Sequence, residues 1–286
     1  MASTAGRRSS RVRTERTEVT ESDFAKEIIS LSAATESING LIYGDSNAGK
    51  TVLSGSLPGR TFWLIGEPGY KAAARQGARG KGSRIGDTAT ANAAADWLER
   101  NYERERLDWI VLDGLSTMEK RFRLGYAAEA FDIDPSKRQH RNLPDRPDYF
   151  NTQNFLLAWI PRLVDLPVNF LITAHAYRTD KTENGELLVF PGIQGKVSET
   201  ANAIAGLMDF TGYLEARQVR KRNSRESALV RRLWFTQPFH AAEDDVRYVV
   251  GDKFNCLGPY WNIGRDDTVL CGMPEILARI NGGEHG

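Results

Sequence analysis

Eight residues, Gly44 to Thr51, constrain the fold of this chain more than any other stretch. They read GDSNAGKT and match the pattern G-x-x-x-x-G-K-[S/T] at every fixed position. The apolar run INGLIY precedes them, and TVLSGSL, typical of a short helix that stops near Pro58-Gly59, follows. A glycine loop between a strand and a helix N-terminus turns its backbone N–H groups toward an anion. The sequence therefore predicts a phosphate-holding loop at the edge of a parallel sheet.

Each position of this loop has a predicted role toward the phosphates of a nucleotide. Lys50 is expected to reach the β- and γ-phosphates, and the Thr51 hydroxyl to hold Mg²⁺. The alternative, an ordinary glycine turn before a helix, is disfavoured because both the strand and the helix are present. The predicted nucleotide-binding residues of the loop are Gly44, Asp45, Ser46, Asn47, Ala48, Gly49, Lys50 and Thr51.

A carboxylate is expected next to this loop. LDWIVLDG (107–114) is typical of a buried strand and ends in Asp113. Ligands of open parallel sheets lie at the carboxyl ends of the strands, so Asp113 is predicted to hold the water shell of Mg²⁺ beside Thr51. An Asp at the end of a strand is common by itself, but together with the phosphate loop Asp113 becomes the expected partner residue.

Two further strands end in polar residues at the same edge. FWLIG is followed by Glu67, and PVNFLITAHAYR (167–178) contains Thr173 and His175. From these residues alone, Glu67 is either a general base or a turn residue before Pro68-Gly69, and a lone His after a strand is more often structural. Strands alternate with helical stretches at 89–105 and 151–164. The predicted fold is α/β, with a mostly parallel central sheet and helices on both faces.

Composition and local patterns set the expected organisation. Residues 1–22 are predicted to be a disordered basic tail, 23–262 the α/β domain, and 263–286 an extension with the short helix PEILARIN. The 38 Lys and Arg residues balance 37 Asp and Glu, so net charge gives no argument for nucleic acid. The two cysteines have no metal-site or disulfide spacing. No apolar run is long enough to span a membrane, and a cytoplasmic protein is expected.

Taken together, four segments resemble the RecA-type branch of the P-loop ATPases, and more closely the phage-encoded, Sak-type single-strand-annealing group with its RadA-like core. They are GDSNAGKT, FWLIGEPG, WIVLDGLST, and FLITAHAYR with the following FPGIQGKVSETANAIAGLMDF. Their order and spacing between Ile38 and Leu257 are more specific than the phosphate loop alone. The resemblance implies Mg-ATP bound between the subunits of a ring or filament, a RecA-like fold with a C-terminal β-hairpin extension, and, for a phage protein, the host cytoplasm.

The resemblance also implies roles for individual residues. It makes Glu67 the catalytic base and His175 the sensor of the γ-phosphate. VRYVVGDKFNCLG (246–258) is similar to a Lys-x-Arg-Phe element that acts in a neighbouring subunit's site. Aligned on Phe254, Lys253 stands in place of the family's Arg, and Gly251 in place of its Lys. Lys253 is the expected trans-acting cation, but it lacks the forked donors of Arg, so another Arg or slow hydrolysis is the alternative.

Three basic segments are candidates for a nucleic-acid surface. The loop expected at 118–150 contains Arg121 and Arg123, and the loop at 176–196 contains Arg178, Lys181 and Lys196. Asn184-Gly185 predicts a β-hairpin tip in the second segment. Residues 215–235 form a third, denser cluster, read as two strands joined by a charged hairpin. For each segment, the alternative is a solvated surface or a subunit contact.

The leading expectation is an ATP-dependent DNA recombination or single-strand-annealing protein that hydrolyses Mg-ATP and engages single-stranded DNA as a homo-oligomer. A single-strand-binding or replication protein is a further expected partner. Two alternatives stay open: a helicase loader or helicase-like motor, and a nucleotide-binding regulatory or assembly module with little turnover. ATP-hydrolysis that depends on single-stranded DNA, and directional strand separation, distinguish among the three.

Overall fold

A computed structural model describes residues 37–179, 186–193, 199–220, 226–241 and 245–282. The described helices are α1 (Lys50–Ser54), α2 (Tyr70–Arg75), α3 (Thr88–Glu105), α4 (Leu115–Ile133), α5 (Arg146–Val164), α6 (Glu199–Leu207) and α7 (Met273–Ile280), with a 3₁₀ turn at Pro135–Lys137. The described strands are β1 (Asn39–Gly44), β2 (Thr61–Ile65), β3 (Lys81–Arg84), β4 (Trp109–Asp113), β5 (Asn169–Arg178), β6 (Leu187–Pro191), β7 (Phe210–Arg220), β8 (Ser227–Trp234), β9 (Val246–Tyr248), β10 (Gly251–Asp252), β11 (Tyr260–Arg265) and β12 (Thr268–Val269).

The strands form one sheet with a parallel centre and an antiparallel flank. Its main path runs β12-β11-β8-β7-β1-β5-β4-β2-β3. Neighbours from β7 to β3 pair in parallel, whereas β7, β8, β11 and β12 pair antiparallel. Strand β6 pairs antiparallel with the outer end of β5 and parallel with β9. The predicted α/β fold with C-terminal hairpins is confirmed.

Alternate residues of the central strands enter two different cores. On β1, Leu41 and Tyr43 pack in the core that contains helices α3, α4, α5 and α6. Ile42, between them, packs on the opposite face with residues of α1, α2 and α7. This period of two follows from the pleat of a strand, and burial on both faces explains the continuous apolar runs of β1, β4 and β5. The sheet is therefore covered by helices on both sides, and its carboxyl edge stays open for a ligand.

The expected boundary between residues 262 and 263 is wrong. It falls inside β11, which pairs with β8 and continues the sheet. Helix α7 then places the buried side chains Met273, Ile276 and Leu277 in the same core as Leu53 of α1. Because their apolar face is shared with the central domain, residues 263–282 are part of one compact unit that begins at Ser37.

The loop expected at 118–150 is also wrong, because most of it is helical. Helix α4 covers residues up to Ile133, and α5 begins at Arg146. Leu115, Met118 and Phe122 recur at helical spacing and are buried against the sheet, so they set the helix despite the many charged residues between them. No described helix is long and apolar enough to cross a bilayer.

Candidate functional site

The phosphate loop connects the end of β1 to α1 at the carboxyl edge of the sheet. A side chain at Gly44 would place its Cβ 2.3 Å from the Leu214 carbonyl oxygen on β7, so only glycine fits there. Asn47 and Gly49 have φ angles of 64° and 107°, which turn the loop tightly before the helix. The Lys50 ammonium donates to the carbonyl oxygens of Gly44 (2.9 Å) and Asp45 (2.8 Å). Burial lowers the pKa of Lys50, and nearby carboxylates oppose that shift.

Thr51 and Asp113, the two residues expected to hold Mg²⁺, lie within hydrogen-bond distance of each other. The Thr51 hydroxyl donates to Asp113 Oδ1 at 2.9 Å, and the Thr173 hydroxyl donates to the same oxygen at 2.8 Å. Burial raises the pKa of Asp113, and the two hydroxyls partly offset this. Its other oxygen, Oδ2, is buried and has no hydrogen-bond partner within the described part of the chain. A buried carboxylate oxygen without a donor, next to a threonine hydroxyl, fits the oxygen-rich surroundings that Mg²⁺ requires.

Glu67 and His175 lie together beside that pair. Glu67 Oε1 accepts a hydrogen bond from Thr117 Oγ1 at 2.5 Å and is hydrogen-bonded to His175 Nε2 at 2.8 Å. These bonds, the one from His175 first, lower the pKa of Glu67 despite its partial burial. Gly114, with a φ of 89°, allows this approach because a Cβ there would lie 2.6 Å from Glu67 Cγ. A carboxylate kept ionised at the cavity wall can accept a proton from water.

These residues line one cavity of about 720 Å³. Its walls include Lys50, Thr51, Glu67, Asp113 and His175, and the volume lies within the range of small-molecule sites. With Ser46, Asn47 and Gly49 of the loop, eight of the predicted site residues therefore converge on one space large enough for a nucleotide. Their joint position at the carboxyl ends of β1, β2, β4 and β5 follows from the parallel register of those strands.

The predicted DNA-contacting arginines lie in different surroundings. Arg178 donates through both Nη atoms to the Asp45 carboxylate, at 2.8 and 2.9 Å. Arg121 is exposed and donates to the Ile85 carbonyl oxygen at 3.2 Å. Arg123 is buried beside Glu119, 3.0 Å away, and stacks on the Tyr149 ring. Its assignment as a DNA contact is corrected, because a guanidinium enclosed in the core is out of reach of a phosphate backbone.

The remaining predicted residues lie elsewhere. Lys181 and Lys196 fall outside the described residues. Lys253 is exposed and donates to the Gly206 carbonyl oxygen at 2.8 Å, next to the first residues of β7. That is the opposite edge of the sheet from the phosphate loop. Lys253 therefore does not reach the cavity of its own chain, and its role stays a prediction about a neighbouring subunit.

Sequence reasoning missed the part of the cavity wall that β8 and the β11–β12 turn supply. Arg231 of β8 and the turn between β11 and β12, residues 266–268, line that wall. One sequence pattern bears on Arg231. Leu229, Arg231 and Leu233 are spaced two residues apart, which places their three side chains on the same face of a strand. Only the sheet order, which brings β8 and β11 toward the loop, reveals that this face meets the cavity.

Comparison with known proteins identifies the family of the chain. A family model described as an AAA domain matches residues 36–238. A solved KaiC-like protein from the hyperthermophilic archaeon Pyrococcus horikoshii OT3 is 13% identical, with a TM-score of 0.40 over 70% of this chain and 78% of that chain. No curated protein sequence matches the chain. The family match extends over the phosphate loop, Asp113 and the central strands. The chain thus belongs to the AAA domain family.

Proposed function

We propose that the protein is an ATPase that hydrolyses Mg-ATP in this cavity and couples hydrolysis to single-stranded DNA, as a recombination or annealing protein. The observation that carries the proposal is the course of β5. Along this one strand, Thr173 contacts Asp113, His175 contacts Glu67, and Arg178 contacts Asp45 of the phosphate loop. The end of the strand also belongs to residues 176–196, one of the segments expected to meet DNA. The nucleotide site and that segment are thus joined by a single element.

The roles of the chain's own residues follow from their contacts. Lys50 leaves the two loop carbonyls and binds phosphate oxygens, while the loop N–H groups hold the rest of the phosphate chain. Thr51 and Asp113 would hold Mg²⁺, which would neutralise charge that develops on the phosphates. Glu67 orients water and accepts its proton. His175 changes its hydrogen bond with Glu67 when the γ-phosphate is present or lost.

The DNA-contacting surface is proposed along the end of β5 and the outer part of β7 and β8. Residues 216–220 of β7 are exposed and include Arg217 and Arg220. The antiparallel pairing of β7 with β8 places Arg217 opposite Val230 and Arg220 opposite Ser227. Exposed arginines on this antiparallel strand pair suit a strand of phosphates. Binding as a ring or filament, and contacts with a single-strand-binding or replication protein, belong to the same proposal.

The decisive measurement is the rate of ATP hydrolysis with and without single-stranded DNA, at two salt concentrations. We expect DNA to stimulate hydrolysis, and the stimulation to fade with salt because phosphate contacts release counterions. The Lys50→Ala variant should lose ATP binding. ATP bound as tightly by that variant as by the unsubstituted protein would sink the proposed site.

Two other results would redirect the proposal. Directional unwinding of a duplex would favour a helicase-like motor. ATP bound with negligible turnover, with or without DNA, would favour a regulatory or assembly module. The latter outcome would agree with a lysine, rather than an arginine, at position 253.

A further inference from the structure

One cation at the cavity has no part in the roles described so far. Arg231 lies on β8, two residues before Leu233, which is buried in the same core as α1. Both side chains therefore leave the sheet on the face that carries the phosphate loop. A Cβ atom on Gly49 would lie 3.6 Å from Arg231 Cδ and 3.7 Å from its Nε. The arginine side chain thus passes directly over the phosphate loop.

The turn between β11 and β12 holds Arg231 in this position. Arg231 Nη1 donates to the Asp266 carbonyl oxygen at 2.8 Å. Asp266 is itself fixed to β8, because its N–H donates to the Leu229 carbonyl and its carboxylate accepts from the Leu229 N–H. In the described part of the chain, Arg231 forms no ion pair with a carboxylate. A guanidinium carries five N–H donors, so its charge and several donors remain for an anion in the cavity.

We propose that Arg231 contacts the phosphate chain of the nucleotide bound by its own subunit. The proposal deepens the ATPase function proposed above and rests on it. Arg231 lies over Gly49, the residue before Lys50, so phosphates held by the loop would be within reach of two cations, Lys50 and Arg231. Both come from one chain, which distinguishes Arg231 from a cation supplied by a neighbouring subunit. Its forked donors also match phosphate oxygens better than a lysine does.

The test compares Arg231→Gln with Arg232→Gln in the full chain. Arg232 is the next residue of β8 and lies on the opposite face, 5.2 Å from the Tyr260 ring. Both variants remove one positive charge from the same strand, but only the first removes it from the cavity. The readout is the affinity for Mg-ATP, Mg-ADP and AMP by isothermal titration. We expect Arg231→Gln to weaken ATP binding about tenfold or more, since a charge-assisted hydrogen bond is lost. AMP binding should change less, and Arg232→Gln should leave all three affinities within about twofold.

Several outcomes would overturn the inference. Equal affinities in Arg231→Gln and the unsubstituted protein would exclude a phosphate contact. An equal loss for ATP and AMP would mean that Arg231 only supports the turn at Asp266. If Arg231→Gln fails to fold, Arg231→Lys should weaken ATP binding relative to AMP, and an unchanged ratio would count against the contact. Lys50→Ala separates the two proposals: if it binds ATP as well as the unsubstituted protein, the nucleotide site itself is wrong.

Discussion

Glu67 owes its proposed role to the two groups that hold one of its oxygens. Thr117 and His175 both contact Oε1, and the side chain lines the cavity, so in the proposed role Oε2 accepts from water. The hydrogen bonds also lower the pKa of the carboxyl group, which keeps it ionised near neutral pH. Because a carboxylate with a lowered pKa is a weak base, the proposed catalysis by Glu67 depends on where its side chain is held rather than on its basicity. The contacts with Thr117 and His175 hold the side chain in place.

The variant Glu67→Gln tests this assignment. Glutamine keeps the size of the side chain and can still accept from Thr117, so ATP affinity should stay within about threefold. It cannot take a proton from water, and single-turnover hydrolysis should fall by roughly 10²- to 10⁴-fold. Hydrolysis at the original rate would return Glu67 to the role of a turn residue before Pro68.

Glu119 gives the stability of the protein a specific pH dependence. It is 2% exposed, and burial raises its pKa from 4.5 to about 7, with Arg123 opposing the shift. Between these two values, the folded protein keeps a proton that the unfolded chain has released. The free energy of unfolding therefore falls as pH rises through this window, by on the order of 3 kcal/mol from this group.

We expect Glu119→Gln to remove that part of the dependence. The difference in unfolding free energy between variant and unsubstituted protein should shift in the variant's favour from pH 4.5 to pH 8, as measured by urea denaturation. Glu129→Gln, on the exposed side of the same helix, is the matched control and should show no such shift. A constant difference across the pH range for Glu119→Gln would contradict the prediction.

At the scale of elements, the Asp45–Arg178 pair ties the phosphate loop to the end of β5. Both side chains are about half exposed, at 51% and 49%, so the pair adds little to stability and can open at low cost. While it is closed, Arg178 is held by a carboxylate and is not available to DNA. Opening the pair would release a cation at the start of the segment proposed to meet DNA.

The variant Asp45→Asn should open this pair without nucleotide. We expect tighter binding of single-stranded DNA in the absence of ATP. The slope of log affinity against log salt concentration should become steeper by about one, which corresponds to one additional phosphate contact. Fluorescence anisotropy at a series of salt concentrations measures both. Adding Arg178→Ala should cancel the gain, and if the double variant keeps it, removal of the Asp45 charge alone is responsible.

Much of the parallel core could be predicted from the sequence, because strands buried on both faces leave unbroken apolar runs. The polar residues that end those runs then follow from the parallel register. Strand β3 could not be found this way, since its four residues KGSR are all exposed. The many charged residues of α4 mask its apolar periodicity in the sequence, although the i, i+4 spacing of Glu119 and Arg123 is typical of an ion pair on a helix. Arg231 depended on strand order, which local patterns do not carry.

At the scale of the whole molecule, α7 links the last described residues to the nucleotide site. Its N-terminus is fixed to the region after α1, where the Met273 N–H donates to Ser56 Oγ at 2.8 Å. Its buried residues complete the core behind the phosphate loop. Loss of packing at α7 should therefore weaken the fold and the nucleotide site together.

The matched pair Ile276→Ala and Ile133→Ala measures this contribution. Ile276 is fully buried, whereas Ile133 is 85% exposed. The first substitution should lower the free energy of unfolding by about 2–5 kcal/mol, and the second by no more than about 0.5 kcal/mol. Equal effects in urea denaturation would show that α7 does not belong to the core.

The position of β5 also limits how a signal can travel along it. The strand is hydrogen-bonded to β1 over residues 170–175 on one edge and to β4 over residues 169–173 on the other. Sliding it by even one residue would break both ladders and turn its buried side chains to the wrong face. Thr173 and His175 would therefore respond by side-chain rotation on a fixed backbone, whereas Arg178 lies beyond both ladders and pairs with Val189 of β6. At an exposed position such as Arg178, side-chain rotations take picoseconds to nanoseconds, so opening of the Asp45–Arg178 pair would be far faster than hydrolysis and would not set the pace of the cycle.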